Sequence, residues 1–215
     1  MALKAVIFDL DGVIVSTDES HYQAWQELAD AEGIYFDRTI NQRLRGVSRM
    51  ESLEILLERS QRTYSPEEKI VLAFRKNTRY LELLKNLTPA DLLPGALEML
   101  QALKAAGVAV AIGSSSKNTW YILERIGLAR FFDAVADGND IAQSKPDPEV
   151  FLIAADRLGV RPRDCLVVED ARAGVEAALA AGMKALAVGY AAGDERATAR
   201  AESLAEIGVK ELLSI

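Results

Sequence analysis

The stretch AVIFDLDGVIVST, residues 5–17, decides how the rest of the chain is read. A short apolar run ends in two aspartates, Asp9 and Asp11, and a glycine, Gly12, follows at once. Four later runs share its character: VAVAI (108–112), DAVAD (133–137), CLVV (165–168) and ALAV (185–188). Short runs that are apolar on both faces are what parallel strands become when helices cover both sides of their sheet. Helical patterns stand between them. PGALEMLQALKAAG (94–107) begins with Pro94 and stops at Gly107, the arrangement expected of a helix start and end. NTWYILERIG, DPEVFLIAADRLG and ARAGVEAALAAG also end in glycine. Strands alternating with helices predict an α/β fold with a doubly wound parallel sheet.

Residues 18–90 break this rhythm. They offer no clear strand, and SHYQAWQELADAEG (20–33), MESLEILLERS (50–60) and PEEKIVLAFRKNTRYLELLKNL (66–87) read as amphipathic helices. The expected division is a sheet domain of residues 1–17 and 91–215, with a helical cap inserted at 18–90. The net charge of −7 argues against a nucleic-acid surface or an anionic membrane as partner. Acids interrupt the apolar start of the chain, so it reads neither as a signal peptide nor as a membrane span. One cysteine, Cys165, allows no internal disulfide, and a reducing compartment is expected.

In an open α/β sheet, ligands bind beyond the carboxyl ends of the strands. Asp9 and Asp11 follow the first run, GSSSKN (113–118) the second, and Glu169 and Asp170 the fourth; Lys145 lies in QSKPDP between the third and the fourth. Residues i and i+2 of an extended segment project to one side. Asp9 and Asp11 would then repel unless a cation relieved them, and oxygen donors suit a hard divalent ion such as Mg²⁺. The plainer reading of a lone aspartate there is a turn or cap. GSSSKN fits an ordinary helix cap as well as a phosphate site, and Lys145 taken alone reads equally as a surface lysine. Together these parts fit phosphoryl transfer. One aspartate would attack phosphorus, the other would give or take a proton, and the cations would hold the phosphoryl oxygens.

These motifs, in the order DLDGV (9–13), Ser114, Lys145 and VEDARAG (168–174), resemble the haloacid dehalogenase superfamily of aspartate-dependent phosphotransferases across the whole chain. That resemblance implies a Rossmann-like core with a helical cap inserted after the first motif. Stretches outside the motifs, LRGVSRMESL (44–53), RKN (75–77), LLPG (92–95) and SSSKN followed by LERIGL, are similar to the β-phosphoglucomutase family. The resemblance implies interconversion of β-D-glucose 1-phosphate and glucose 6-phosphate, with β-glucose 1,6-bisphosphate as activator and intermediate. It assigns Asp9 as nucleophile and Asp11 as acid and base. Mg²⁺ would be held by Asp9, the Asp11 main-chain carbonyl and Asp170, with Glu169 close by. Ser114, Ser115 and Lys145 would bind the transferring phosphoryl group. Arg49, Ser116, Lys117 and Asn118 would bind the distal phosphate, and His21, Trp25, Gly46, Ser52 and Lys76 would contact the sugar or couple closure to it. Without the resemblance, Arg49 also reads as surface charge, His21 as structural and Trp25 as core. The family often has DGVITDT where this chain has DGVIVST, so Val15 and Ser16 replace a polar and an acidic residue. A phosphatase of the same superfamily would use the same aspartates, and a regulator without chemistry would have lost one of them. The expected protein is a cytoplasmic monomer acting on a small sugar phosphate.

Overall fold

The computed structural model describes residues 3–215. Its centre is a six-stranded parallel sheet of β1 (Ala5–Phe8), β2 (Ala109–Gly113), β3 (Ala134–Ala136), β4 (Cys165–Glu169), β5 (Lys184–Ala187) and β6 (Ala199–Arg200). The order across the sheet is β3-β2-β1-β4-β5-β6. The chain winds outward in opposite directions on the two sides of β1, so the crevice for a ligand opens beyond the ends of β1 and β4. Phe8 pairs with Val168, and the Asp9 amide donates to the Val168 carbonyl. Asp9 and Glu169, the next residues on each strand, therefore stand side by side. The first five strands match the apolar runs. The sixth was not foreseen, because two residues, Ala199 and Arg200, show no period.

Between β1 and β2 lies the helical segment: α1 (Asp18–Glu32), α2 (Arg38–Gln42), α3 (Arg49–Leu57) and α4 (Pro66–Leu84). Ser48 with Glu51, and Ser65 with Glu68, form reciprocal capping boxes that fix where α3 and α4 begin. Trp25, Leu28, Phe36, Ile40, Leu53, Leu56 and Leu72 pack a separate apolar cluster among these helices. The five-residue α2 had no readable pattern because it is barely one turn long. The two connections to the sheet domain run together: Val15 bridges Leu92, and the Leu93 amide donates to the Ile14 carbonyl. Val15, one of the two departures from the family pattern, is fully buried here, whereas Ser16 is exposed.

The remaining helices, α5 (Ala96–Ala105), α6 (Thr119–Arg125), α7 (Glu149–Leu158), α8 (Arg172–Ala180) and α9 (Val209–Leu212), cover the sheet. The alternation of side chains divides each strand between two layers. Val6, Phe8, Val110, Ile112, Leu166 and Val168 meet Leu100 and Leu103 of α5 and Ile122 and Leu123 of α6. Ala5, Ile7, Ala111, Cys165 and Val167 meet Val150 and Phe151 of α7 and Val175 and Ala178 of α8. The smaller residues on the second face let α7 and α8 approach closely. Among the described residues, no helix is long and apolar enough to cross a membrane.

Candidate active site

Lys145 is the hub of the buried polar cluster at the switch point. It is 1% exposed, and its Nζ donates to Asp9 Oδ1 (2.6 Å) and Glu169 Oε2 (2.8 Å). Burial alone would discharge this lysine. The Asp9 and Glu169 carboxylates outweigh that and hold its pKa above the ordinary value. Carboxylate oxygens of Asp9, Glu169 and Asp170 all lie within 4.8 Å of one another. Burial and mutual repulsion push both Glu169 and Asp170 up from the usual carboxylate range. One lysine does not neutralise three acids, and a buried excess of negative charge is costly. The donor set, all oxygen, fits a hard divalent cation. The backbone makes room for Asp170: Gly12 has φ +88°, and a β-carbon there would overlap the Asp170 carboxyl group. Glu169 has little left to offer an ion directly, because Oε2 accepts from Lys145 and Oε1 from the Ala171 amide (3.0 Å).

Asp11 does not join this cluster through its side chain. Its Oδ1 accepts from the Thr17 amide (2.7 Å) and its Oδ2 from Thr17 Oγ1 (2.5 Å), while Thr17 Oγ1 also meets the Tyr80 hydroxyl (2.8 Å). Asp9 and Asp11 both line the cleft, but the strand ends at Phe8 and the chain turns at Gly12, so Thr17 holds the Asp11 carboxylate apart from the Asp9 cluster. Desolvation, followed by repulsion from Asp18, raises the Asp11 pKa to about 7. A carboxyl group poised near neutrality can both give and take a proton.

Beyond β2, GSSSKN curls over the same crevice. Ser114 is buried, and its Oγ accepts from the Ser116 amide (3.2 Å). The Ser115 hydroxyl is buried without a partner and lines the cleft. Asn118 does not cap α6 with its side chain; its Nδ2 donates across to Asn77 Oδ1 of α4 (2.9 Å).

The helical segment closes the other side of a cavity of about 560 Å³. His21, Trp25, Gly46, Arg49, Ser52 and Lys76 all line it, opposite Asp9, Ser114, Ser115, Ser116, Lys117, Asn118, Lys145 and Asp170. Glu169 lies behind this wall, fully buried. Lys76 is 2% exposed and lies over the rings of Trp25 (4.8 Å) and Tyr80 (4.4 Å). Its Nζ is 2.7 Å from His21 Nδ1. Desolvation, then repulsion by Arg49, depresses the Lys76 pKa well below the ordinary lysine value. Desolvation, followed by Lys76 and Arg49, does the same to His21. When Lys76 is protonated it can only donate, so the His21 ring proton sits on Nε2, 3.8 Å from Asp11 Oδ2. The cleft thus has two poles. One is built from acids and Lys145, and the other is formed by the Arg49 cation with the Lys76 amine beside it.

Residues 3–182 match the haloacid dehalogenase-like hydrolase family. The chain belongs to that family. It is 47% identical to the β-phosphoglucomutase of Bacillus subtilis, over 87% of this chain and 84% of that protein. It is 31% identical to a phosphorylated carbohydrates phosphatase of Thermotoga maritima, over 99% of this chain and 98% of the relative. The crystal structure of the β-phosphoglucomutase of Clostridium difficile superposes with a TM-score of 0.94 at 37% identity, covering 99% of this chain and 96% of that one.

Within this haloacid dehalogenase-like framework, four cleft residues were not legible as site residues. Tyr80 follows Lys76 by one helical turn on the buried stripe of α4, and that spacing was available in the sequence. Asn77 adjoins Lys76, and Asn41 is a buried asparagine of α2, which had no readable pattern. Arg45 precedes Gly46 in a loop whose position depends on contacts distant in sequence.

Proposed function

We propose that the chain is a Mg²⁺-dependent β-phosphoglucomutase that interconverts β-D-glucose 1-phosphate and glucose 6-phosphate through β-glucose 1,6-bisphosphate. The observation that carries this reading is the second, cationic pole. A phosphatase of a sugar monophosphate needs one phosphate site. A mutase must hold a sugar between two and exclude water while the sugar turns over. The activity of the Bacillus subtilis relative supports the same reading.

Asp9 attacks a phosphorus of the bisphosphate, and its carboxylate oxygen forms the new bond as the sugar oxygen leaves. Asp11 supplies the proton that the leaving oxygen takes. In the return step a hydroxyl of the monophosphate attacks the aspartyl phosphate. Asp11 takes the hydroxyl proton, and Asp9 is released as carboxylate. Lys145, Ser114 and Ser115 hold the phosphoryl oxygens throughout. Mg²⁺ would sit among Asp9, Asp170 and the Asp11 carbonyl, beside Glu169, and would neutralise charge on those oxygens. Arg49 takes the distal phosphate with its planar pair of donors, helped by Lys76, Ser116, Lys117 and Asn118. His21, Trp25, Gly46 and Ser52 bound the sugar. Residues 18–90 act as the cap, and the hinge passes through Thr17, which also holds Asp11. Moving the hinge therefore moves the acid.

Arg49→Ala tests the second pole. Mutase flux should fall at least about a hundredfold, by loss of a charge-assisted contact of about 3 kcal/mol. Hydrolysis of an aryl phosphate, which has no distal phosphate, should change less than about threefold. Equal losses would mean that Arg49 has no distal-phosphate role.

A further inference from the structure

Arg45, in the loop between α2 and α3, ties three separate segments together. Its guanidinium lies 3.4 Å from the centroid of the Tyr190 ring, in the turn that follows β5. One end forms an ion pair with Asp18, at the first residue of α1 beside the hinge. The other end is 3.7 Å from Asp170 Oδ2. The side chain is 17% exposed, and its Nε is buried with no acceptor. The next residue, Gly46, has φ +74°, and a β-carbon there would stand 3.0 Å from that of Ala171. The cap loop thus lies directly on the core loop that carries Asp170, and the Asp170 side chain is left 6% exposed.

Tyr190 has no evident task apart from this contact. The residue is 65% exposed and is not part of the cleft wall. Arginine stacks on aromatic faces more readily than lysine does, and it keeps its paired donors free while stacked. We propose that Arg45 and Tyr190 form a latch that holds the cap loop down beside Asp170 and keeps water from the phosphoryl site between the two half-reactions. Arg45 is in this sense a positioning residue. The water-exclusion half of the proposal rests on the mutase reading; the latch itself does not.

The test compares full-length Tyr190→Ala and Tyr190→Phe with the wild type in two readouts. The first is inorganic phosphate released per glucose 6-phosphate formed, from β-glucose 1-phosphate with a trace of the bisphosphate. The second is amide hydrogen exchange in residues 44–48. Tyr190→Ala should raise both about threefold to tenfold, the size of a stacked cation contact. Tyr190→Phe keeps the ring face and should behave as wild type. Arg45→Met, which also removes the contacts with Asp18 and Asp170, should raise both at least as much as Tyr190→Ala, and adding Tyr190→Ala to it should change little more. Unchanged exchange in Tyr190→Ala would overturn the latch. Faster exchange with an unchanged product ratio would overturn its role in excluding water. If the wild type releases only inorganic phosphate, the mutase reading fails, while the exchange contrast still decides the latch.

Discussion

Lys76 is an amine whose charge the fold disfavours. It sits between two aromatic rings with a histidine nitrogen as its nearest partner, and its pKa is held well below the ordinary value by desolvation first. The unfolded chain binds this proton more tightly than the folded one, so stability rises with pH from the depressed folded value up to about 10.4. Lys76→Met should therefore raise the melting temperature near pH 7 by about 2–6 °C. The gain should shrink toward pH 10, and mutase activity should be lost. A destabilised variant at neutral pH would mean that Lys76 holds the cap together instead of awaiting an anion. Glu169 and Asp170 work with the opposite sign. Their pKa values are raised by burial, so the folded chain holds the extra protons and loses stability as pH climbs above about 4. Mg²⁺ competes with those protons. At about a hundred times its dissociation constant it should raise the melting temperature by about 5–10 °C at pH 8. The rise should be clearly smaller at pH 5, and equal rises would contradict a carboxylate site. Asp9 and the two acids were legible in the sequence because they stand at the ends of strands, and Lys145 because it lies in the polar loop between the third and fourth strands. Arg45 was not, because it acts through a packing partner far along the chain, whereas Tyr80 could have been found from its place one turn after Lys76.

At the scale of elements, the ends of β1 and β4 do the positioning. Their register sets Asp9 against Glu169, and the turn at Gly12 brings the backbone within reach of Asp170. Gly12→Ala should leave the sheet intact, because the residue lies beyond the strand. It should nevertheless displace Asp170, abolish the Mg²⁺-induced rise in melting temperature and lower turnover at least about a hundredfold, the scale of a misplaced catalytic group. Near-normal turnover would show that the turn is not required. The strands were readable as apolar runs and the long helices by their period and terminal glycines. α2 and β6 escaped because an element of two to five residues has no period to read. The hold of Thr17 on Asp11 escaped for a related reason: it depends on the turn that begins where β1 ends, at Phe8.

At the scale of the whole molecule, a cleft lies between a phosphoryl pole on the sheet and a second pole, with Arg49 and Lys76, on the helical segment. A mutase uses both poles, because the phosphoryl group returns to a sugar that already carries a second phosphate. The haloacid dehalogenase-like core does not decide that, since it serves phosphatases and mutases alike; the relatives of this chain include both. The direct measurement is phosphorus NMR on the purified protein with Mg²⁺, β-glucose 1-phosphate and a trace of glucose 1,6-bisphosphate, with Asp9→Asn as the inactive control. The expected result is accumulation of glucose 6-phosphate with little inorganic phosphate, and neither product from the control. Inorganic phosphate as the main product of the wild type would contradict the mutase account, and glucose 6-phosphate from Asp9→Asn would contradict the nucleophile.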